Sequence, residues 1–333
     1  MTSEPRPPAP RAQLARRERE ADPAEVAHEK MREALDASAS GAPAAGKAVR
    51  DLLSTDEIFR RLVATADDEF DRTNRLLFFS GLAAGFSVAL SFIARVAVPA
   101  ATGVELLGML LYPIGFVFIV LGRYQLFTEN TLTPVTLVLT RSASIPRLLK
   151  FWGVVYAANI LGASLAAAGL ALFPIFTPDA AAKATDMAAH VADLSFGSLV
   201  AKGVIAGWLV AGMVWLTHAT REGTTRLLIV FAIMSLIPMA GLFHCVVGAC
   251  EAVYGVLQGV LSVDQALFGF VLPVTIGNTV GGVLLVALLN FAQTREAICP
   301  DRAKLSWQAW FFRDAWRPLE PETKDPDADR TGA

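Results

Sequence analysis

Between residues 76 and 290 the chain carries only 9 lysines and arginines in 215 positions, whereas 13 lie before residue 76 and 7 after residue 290. A stretch this poor in basic groups constrains the fold more than any motif does, because it cannot present an ordinary water-facing surface. Six apolar segments fill it, at about 76–98, 106–122, 149–172, 196–217, 226–258 and 267–292. Each approaches or exceeds the roughly 20 helical residues that cross about 30 Å of hydrocarbon. The mean hydropathy of +0.47 fits the same reading. The expected fold class is an all-α membrane protein with six transmembrane helices.

The charges that remain suggest an orientation. Arg141, Arg147 and Lys150 follow the second segment, Arg221 and Arg226 the fourth, and Arg295, Arg302 and Lys304 the sixth. The loops on the other side hold Asp179, Lys183, Asp186, Asp193 and Asp264. That basic bias predicts both termini in the cytoplasm. The first 70 residues contain no apolar run of signal-peptide type, so no cleavable leader is expected. The domain plan is a cytoplasmic N-terminal region (1–74), a transmembrane domain (75–292) and a cytoplasmic tail (293–333).

Residues 1–21 are rich in Pro, Arg and Glu and poor in large apolar groups, and are expected to be disordered. Asp22-Pro23 with Glu25 reads as the start of a helix to about Ala37, followed by the linker SASGAPAAG (38–46). Ser54 and Glu57 form a capping-box pattern ahead of a second amphipathic helix leading toward Arg75, expected to be solvated. The run LSWQAWFFRDAW (305–316) suits either a helix at the lipid headgroups or a tail helix packed on the protein.

Two segments are irregular. GRYQLFTENTLTPVTLVLT (122–140) puts Arg123, Gln125, Thr128, Glu129 and Asn130 at membrane depth, and the over-long fifth segment carries Pro238, Gly241, His244, Gly248 and Glu251. Non-helical backbone at that depth is tolerated where it is buried in protein or lines a cavity. The words LFT (126–128) and LFH (242–244) lie 116 residues apart. NILGASLAAAG and NTVGGVLLVAL begin 119 residues apart, at Asn159 and Asn278. The same order at nearly the same offset predicts one three-helix unit used twice in opposite orientations, with the two broken helices meeting near the midplane.

These words together resemble the formate/nitrite transporter family, in a divergent YfdC-like branch. GRYQLFTEN matches the family's break in the second helix and WGVVYAANILGA (152–163) its third helix. AKGVIAGWLVAGMVW (201–215), FHCVVGA (243–249) and TIGNTVGG (275–282) match the fourth, fifth and sixth. The resemblance spans about residues 75–292. It implies an aquaporin-like fold in a bacterial cytoplasmic (inner) membrane, assembled as a homopentamer with one pore per subunit, passing small monovalent anions such as formate, nitrite or hydrosulfide. Carried over by position, it assigns His244, Thr128, Asn159, Asn278 and Lys202 to the substrate pathway, and Leu126 and Phe127 to apolar positions that narrow the pore. The expected layout is an apolar constriction on either side of a small central chamber, with Leu126 and Phe127 on one side and an apolar residue of the second helix, Phe116, on the other. Three positions depart from the family pattern: Gln125 replaces an acid, and Gly207 and Gly248 replace asparagines.

Chemically, a small anion is costly to strip of water and nearly free to move once neutralised. A histidine can supply a proton or a hydrogen bond at that point; the plainer alternative is a buried ring satisfied by a neighbouring carbonyl. Glu129 and Glu251 would repel an anion if they faced the pore. Structural roles are therefore expected for them, with Glu129 pairing with Arg123 and Glu251 capping a helix or meeting another subunit. Carboxylates that did face the pore would indicate a cation or proton-coupled flow. A neutral-solute pore, widened by Gly207 and Gly248, and a non-transporting scaffold are the rival readings. The sequence offers no HExxH, GxSxG or metal-ligand cysteine spacing, so neither an enzyme nor a bound cofactor is expected. The expected partners are lipid and a small anion, not nucleic acid.

Overall fold

The computed structural model describes residues 53–294 and 302–318. The expectations for residues 1–21, for a helix at 22–37 and for the 38–46 linker lie outside the described residues. The first described helix, α1 (Thr55–Asp71), starts at the capping box read from the sequence. Ser54 Oγ accepts the Glu57 N–H at 3.3 Å, and Glu57 Oε2 accepts the Ser54 N–H at 2.7 Å. Those bonds hold the Glu57 carboxyl below its ordinary range. The helix is not simply solvated. Phe59, Leu62, Ala66, Glu69 and Phe70 recur at helical spacing and are buried, because that stripe packs against the membrane-embedded part of the chain.

Among the described residues, five helices are long and apolar enough to cross a membrane. They are α2 (Asn74–Thr102), the stretch Glu105–Gly122 made of α3 (Glu105–Leu111) and α4 (Ile114–Gly122), then α6 (Ile145–Leu172), α8 (Phe196–His218) and α11 (Gln265–Ala292). Between α4 and α6 lie a single 3-10 turn, Glu129–Thr131, and α5 (Thr133–Leu139). The helix α7 (Pro178–His190) joins α6 to α8. The fifth predicted crossing is two shorter helices, α9 (Gly223–Met239) and α10 (Cys245–Leu257). No strand occurs among the described residues; one isolated bridge pairs Ala143 with Trp316.

Two helix pairs form the frame, α2 with α6 and α8 with α11. Each is drawn together by glycine. A Cβ on Gly85 would overlap the carbonyl oxygen of Asn159, and one on Gly281 would overlap that of Val204. Backbones approach this closely only where side chains are absent.

The C-terminal strap, residues 302–318, packs on α1 and the start of α6. Arg302 pairs with Asp67 at 2.6 Å, Trp316 Nε1 donates to the same carboxylate at 3.1 Å, and Trp310 Nε1 donates to the Val138 carbonyl at 2.9 Å. Lys150 hydrogen-bonds Asp314 at 2.9 Å and holds that carboxyl below its usual range. The short helix α12 (Trp307–Phe312) is thus packed on the protein through Trp310, while Trp307 and Phe312 stay exposed.

Candidate functional site

Both breaks begin at a left-handed residue. α4 stops at Gly122 and Arg123 follows at φ 56°; the turn after α9 passes through Gly241 at φ 61°. Only glycine adopts that conformation freely, so Arg123 carries a penalty of roughly 1–2 kcal/mol. From these turns the chain runs inward through Leu126-Phe127-Thr128 and Leu242-Phe243-His244.

Two asparagines fasten the two words in the same way. Asn159 Oδ1 accepts the Phe127 N–H at 2.8 Å, while its amide donates to the carbonyls of Gly81 at 2.8 Å and Gln125 at 2.9 Å. Asn278 Oδ1 accepts the Cys245 N–H at 2.9 Å, and its amide donates to Gly203 at 2.9 Å and Phe243 at 3.1 Å. Backbone groups with no helical partner are thereby satisfied in an apolar setting. Both asparagines stand behind the breaks, fully buried, and neither lines either of the two cavities beside the breaks.

The two words meet at their last residues. Thr128 Oγ1 lies 2.7 Å from His244 Nε2. His244 is also the N-cap of α10, its Nδ1 accepting the Val247 N–H at 3.2 Å. A nitrogen that accepts cannot carry the proton, so the ring is the neutral tautomer with hydrogen on Nε2, and Thr128 Oγ1 is the acceptor. The threonine keeps its own hydroxyl hydrogen to donate. Phe116 stands edge-on to the imidazole with ring centres 5.0 Å apart.

A cavity lies on each side of this contact. One, of about 240 Å³, is lined by His244, Val247, Gly248 and Glu251 of α10, with Arg95, Tyr112, Phe243 and Lys202 around them. The other, of about 520 Å³, is lined by Ile119, Arg123, Gln125 and Glu129, with Glu69 from α1 and His218 from α8. Tyr112, Phe116 and Ile119 follow one another along a single helical face. The first lines one cavity, the last lines the other, and Phe116, fully buried, sits between. Leu126 and Phe127 are buried as well, Phe127 against Trp152 and Tyr156 with ring centres 5.6 and 4.8 Å away.

Several expectations need correction. No ion pair joins Glu129 to Arg123 among the described residues; Glu129 lines the larger cavity, with one carboxyl oxygen lacking a hydrogen-bond partner. Glu251 does not cap α10, since His244 does, and instead lines the smaller cavity. Gly207 does not widen a pore, because a Cβ there would overlap Asn278 of α11. Gly248 does line the smaller cavity, but a Cβ there would stand 2.9 Å from the Phe270 ring. Lys202 Nζ donates to the Gly241 carbonyl at 2.7 Å, so it braces the second break as well as standing at the cavity mouth. His218 was not singled out in the sequence. It is half-buried in the larger cavity, its Nδ1–H donating to the Val214 carbonyl at 2.8 Å and its Nε2 accepting from Thr65 at 3.1 Å. Cys245 and Cys250 are free and buried; Cys299 lies outside the described residues.

Sequence reasoning also missed Glu69. Its carboxylate accepts the Thr133 hydroxyl at 2.8 Å and reaches the amides of Gln125 and Asn130 at 3.4 Å. An acid from α1 thus stands beside Gln125, the position where the family pattern has an acid of its own.

A family model described as formate/nitrite transporter matches residues 56–292. The chain belongs to that family. It is 33% identical over 242 residues to the inner membrane protein YfdC of Escherichia coli, covering 71% of this chain and 77% of that one. It is 25% identical over 255 residues to the formate channel FocA of Haemophilus influenzae, covering 68% and 89%. Among solved structures, an FNT family ion channel superposes with a TM-score of 0.63 at 20% identity, over 72% of this chain and 99% of that one. A pentameric formate channel with formate bound gives a TM-score of 0.54 at 20% identity, over 69% and 98%. These likenesses establish the helical channel fold, and the family is one of membrane transporters and channels, not enzymes.

Proposed function

We propose that the protein is a channel or secondary transporter of the bacterial inner membrane for small monovalent weak-acid anions of the formate, nitrite and hydrosulfide class. In this reading α9 and α10 together make the fifth of six crossings, residues 75–292 are two inverted three-helix halves, and both termini are cytoplasmic. The matched bonds of Asn159 and Asn278, one in each half, support the repeat. The YfdC relative supports the membrane, and the pentameric formate channel supports a homopentamer with one pathway per subunit.

The observation that carries the reading is the contact of Thr128 with His244, where Phe116 stands between cavities of about 240 and 520 Å³. There an ion meets an apolar partition furnished with two hydrogen-bond donors, the His244 Nε2–H and the Thr128 hydroxyl. Donors fixed in place where hydration is lost favour an anion over a cation. Leu126, Phe127 and Phe116 form the constriction, and Lys202 stands at the mouth of the smaller cavity.

Flux into proteoliposomes tests this. Formate, nitrite or hydrosulfide should enter faster than through protein-free vesicles, and glycerol and ammonia should not. Ammonia or glycerol flux alone would establish a neutral-solute pore, and no flux of any of them a scaffold.

A further inference from the structure

Glu251 is the group that the anion reading leaves unexplained. It is 7% exposed, lines the same cavity as His244, and lies on the same α10 face seven residues further along, a rise of about 10 Å. Among the described residues its carboxyl forms no ion pair within 4.0 Å. The groups facing it from neighbouring elements are Arg95 of α2, Tyr112 beside α3, His190 of α7 and Lys202 of α8, with His244 and Cys250 on its own helix. Arg95 lies 3.8 Å from Glu105, and Lys202 is bound to the Gly241 carbonyl. A carboxylate and a small anion sharing a pocket of about 240 Å³ repel one another, so an anion occupies this cavity most readily when Glu251 carries a proton.

His244 is poorly placed to supply that proton. Its Nδ1 is engaged by the Val247 N–H, and a second ring proton there would set two donors face to face at the positive end of α10. Beyond the partition the surroundings reverse. The larger cavity holds four guanidinium groups, Arg61, Arg72, Arg123 and Arg226, against the carboxylates of Asp68, Glu69 and Glu129. That side favours the charged form of a weak acid.

We propose that Glu251 is the proton donor that neutralises the anion before the partition. The reading rests on the anion transport proposed above. The protonated carboxyl of Glu251 gives its hydrogen to the bound anion, leaving a glutamate and the neutral acid. The O–H bond to Glu251 breaks as the bond to the substrate oxygen, or to sulfur in hydrosulfide, forms. The neutral acid passes Phe116 while hydrogen-bonded by Thr128 and His244. In the arginine-lined cavity it releases its proton to water, and Glu251 regains one from water on its own side. One proton therefore accompanies each anion.

The test follows formate uptake and internal pH together in proteoliposomes holding a trapped pH dye. Wild-type protein should carry one proton per formate, and Glu251→Gln, which keeps the shape without the acid, should slow formate uptake by about a hundredfold or more while eluting as the same assembly. Glu251→Gln protein that carries formate at the wild-type rate with one proton each overturns the inference and leaves anion transport standing. Wild-type protein that carries formate with no proton does the same. Wild-type protein inert toward formate, nitrite and hydrosulfide removes the transport reading and this one with it. Should the Gln variant fail to assemble, the wild-type proton count decides alone: one per formate supports the donor, none overturns it.

Discussion

Thr128 and His244, 116 residues apart in sequence, meet at 2.7 Å, and the second nitrogen of the ring is spent on capping α10. The cap fixes the tautomer, the tautomer makes the imidazole the donor, and the threonine hydroxyl is left to donate onward. A residue at the end of one broken segment thereby sets the chemistry of a residue at the end of the other.

The first prediction concerns His244→Asn. Asparagine is a preferred N-cap, so α10 should still start at the same place and stability should change by no more than about 1 kcal/mol. What is lost is the donor that reaches Thr128. Formate flux should fall by about tenfold, the worth of about 1.4 kcal/mol, while its dependence on pH remains that of the wild type. Flux and pH profile both unaltered would return His244 to a satisfied core residue. Loss of the pH dependence would route the proton through the imidazole.

Asn159 and Asn278 should be equivalent in stability because they do the same work on the two breaks. Replacing either with Ala strands a buried backbone N–H, at Phe127 or at Cys245, and a break carbonyl, at Gln125 or at Phe243. Each stranded group costs about 1–3 kcal/mol. Thermal unfolding in detergent should show a clear and similar drop in Tm for both variants. A drop for one alone would show that only one break depends on its asparagine.

How much of this was legible in the sequence depends on the distance over which a residue acts. LFT and LFH, with Asn159 and Asn278 behind them, could be read because the repeat doubles each signal at one offset. The cap at Ser54 could be read because it is local. The division of 226–258 showed as excess length with Pro238, Gly241 and His244 inside an apolar run. Glu69 was invisible: its partner Thr133 is 64 residues away, and an acid on an amphipathic helix reads as solvated surface. The positions of Glu129 and Glu251 were misread for a related reason, since a sequence gives the depth of a residue but not the direction in which its side chain leaves the helix. Gly207 and Gly248 looked like a depolarised lining when both are sites of close packing.

In the proposed pathway Phe116 is the partition. Replacing it with Ala removes a ring that is fully buried between the two cavities, at a cost of about 3–5 kcal/mol, whereas Phe116→Leu keeps most of the volume. The Leu variant should assemble normally and admit glycerol faster than wild-type protein in a vesicle-swelling assay. Phe127→Ala, which removes packing against Trp152 and Tyr156, should lower the Tm and also raise leak. Unchanged glycerol entry in Phe116→Leu, with a faster leak in Phe127→Ala, would move the partition to the Phe127 ring.

The last prediction concerns Glu69 on α1. Burial, against the opposing hydrogen bonds from Thr133 and Gln125, raises its carboxyl from an ordinary 4.5 to about 7. Arg72 favours its charged form and Asp68 disfavours it, and Glu129 lines the same cavity. In the unfolded chain the group titrates near 4.5, so between about pH 4.5 and pH 7 the folded state holds more proton than the unfolded state. Stability from this site is therefore fully present below pH 4.5, declines as pH rises to about 7 and is level above it. The decline is on the order of 3 kcal/mol, at 1.36 kcal/mol per unit. Glu69→Gln is neutral at every pH and keeps a hydrogen-bond acceptor for Thr133. Tm measured at intervals from pH 4.5 to 8 should fall through this window in the wild type, and the variant should lack that component. Parallel profiles for the two proteins would show that the Glu69 carboxylate stays charged throughout, held by Thr133 and its amide neighbours.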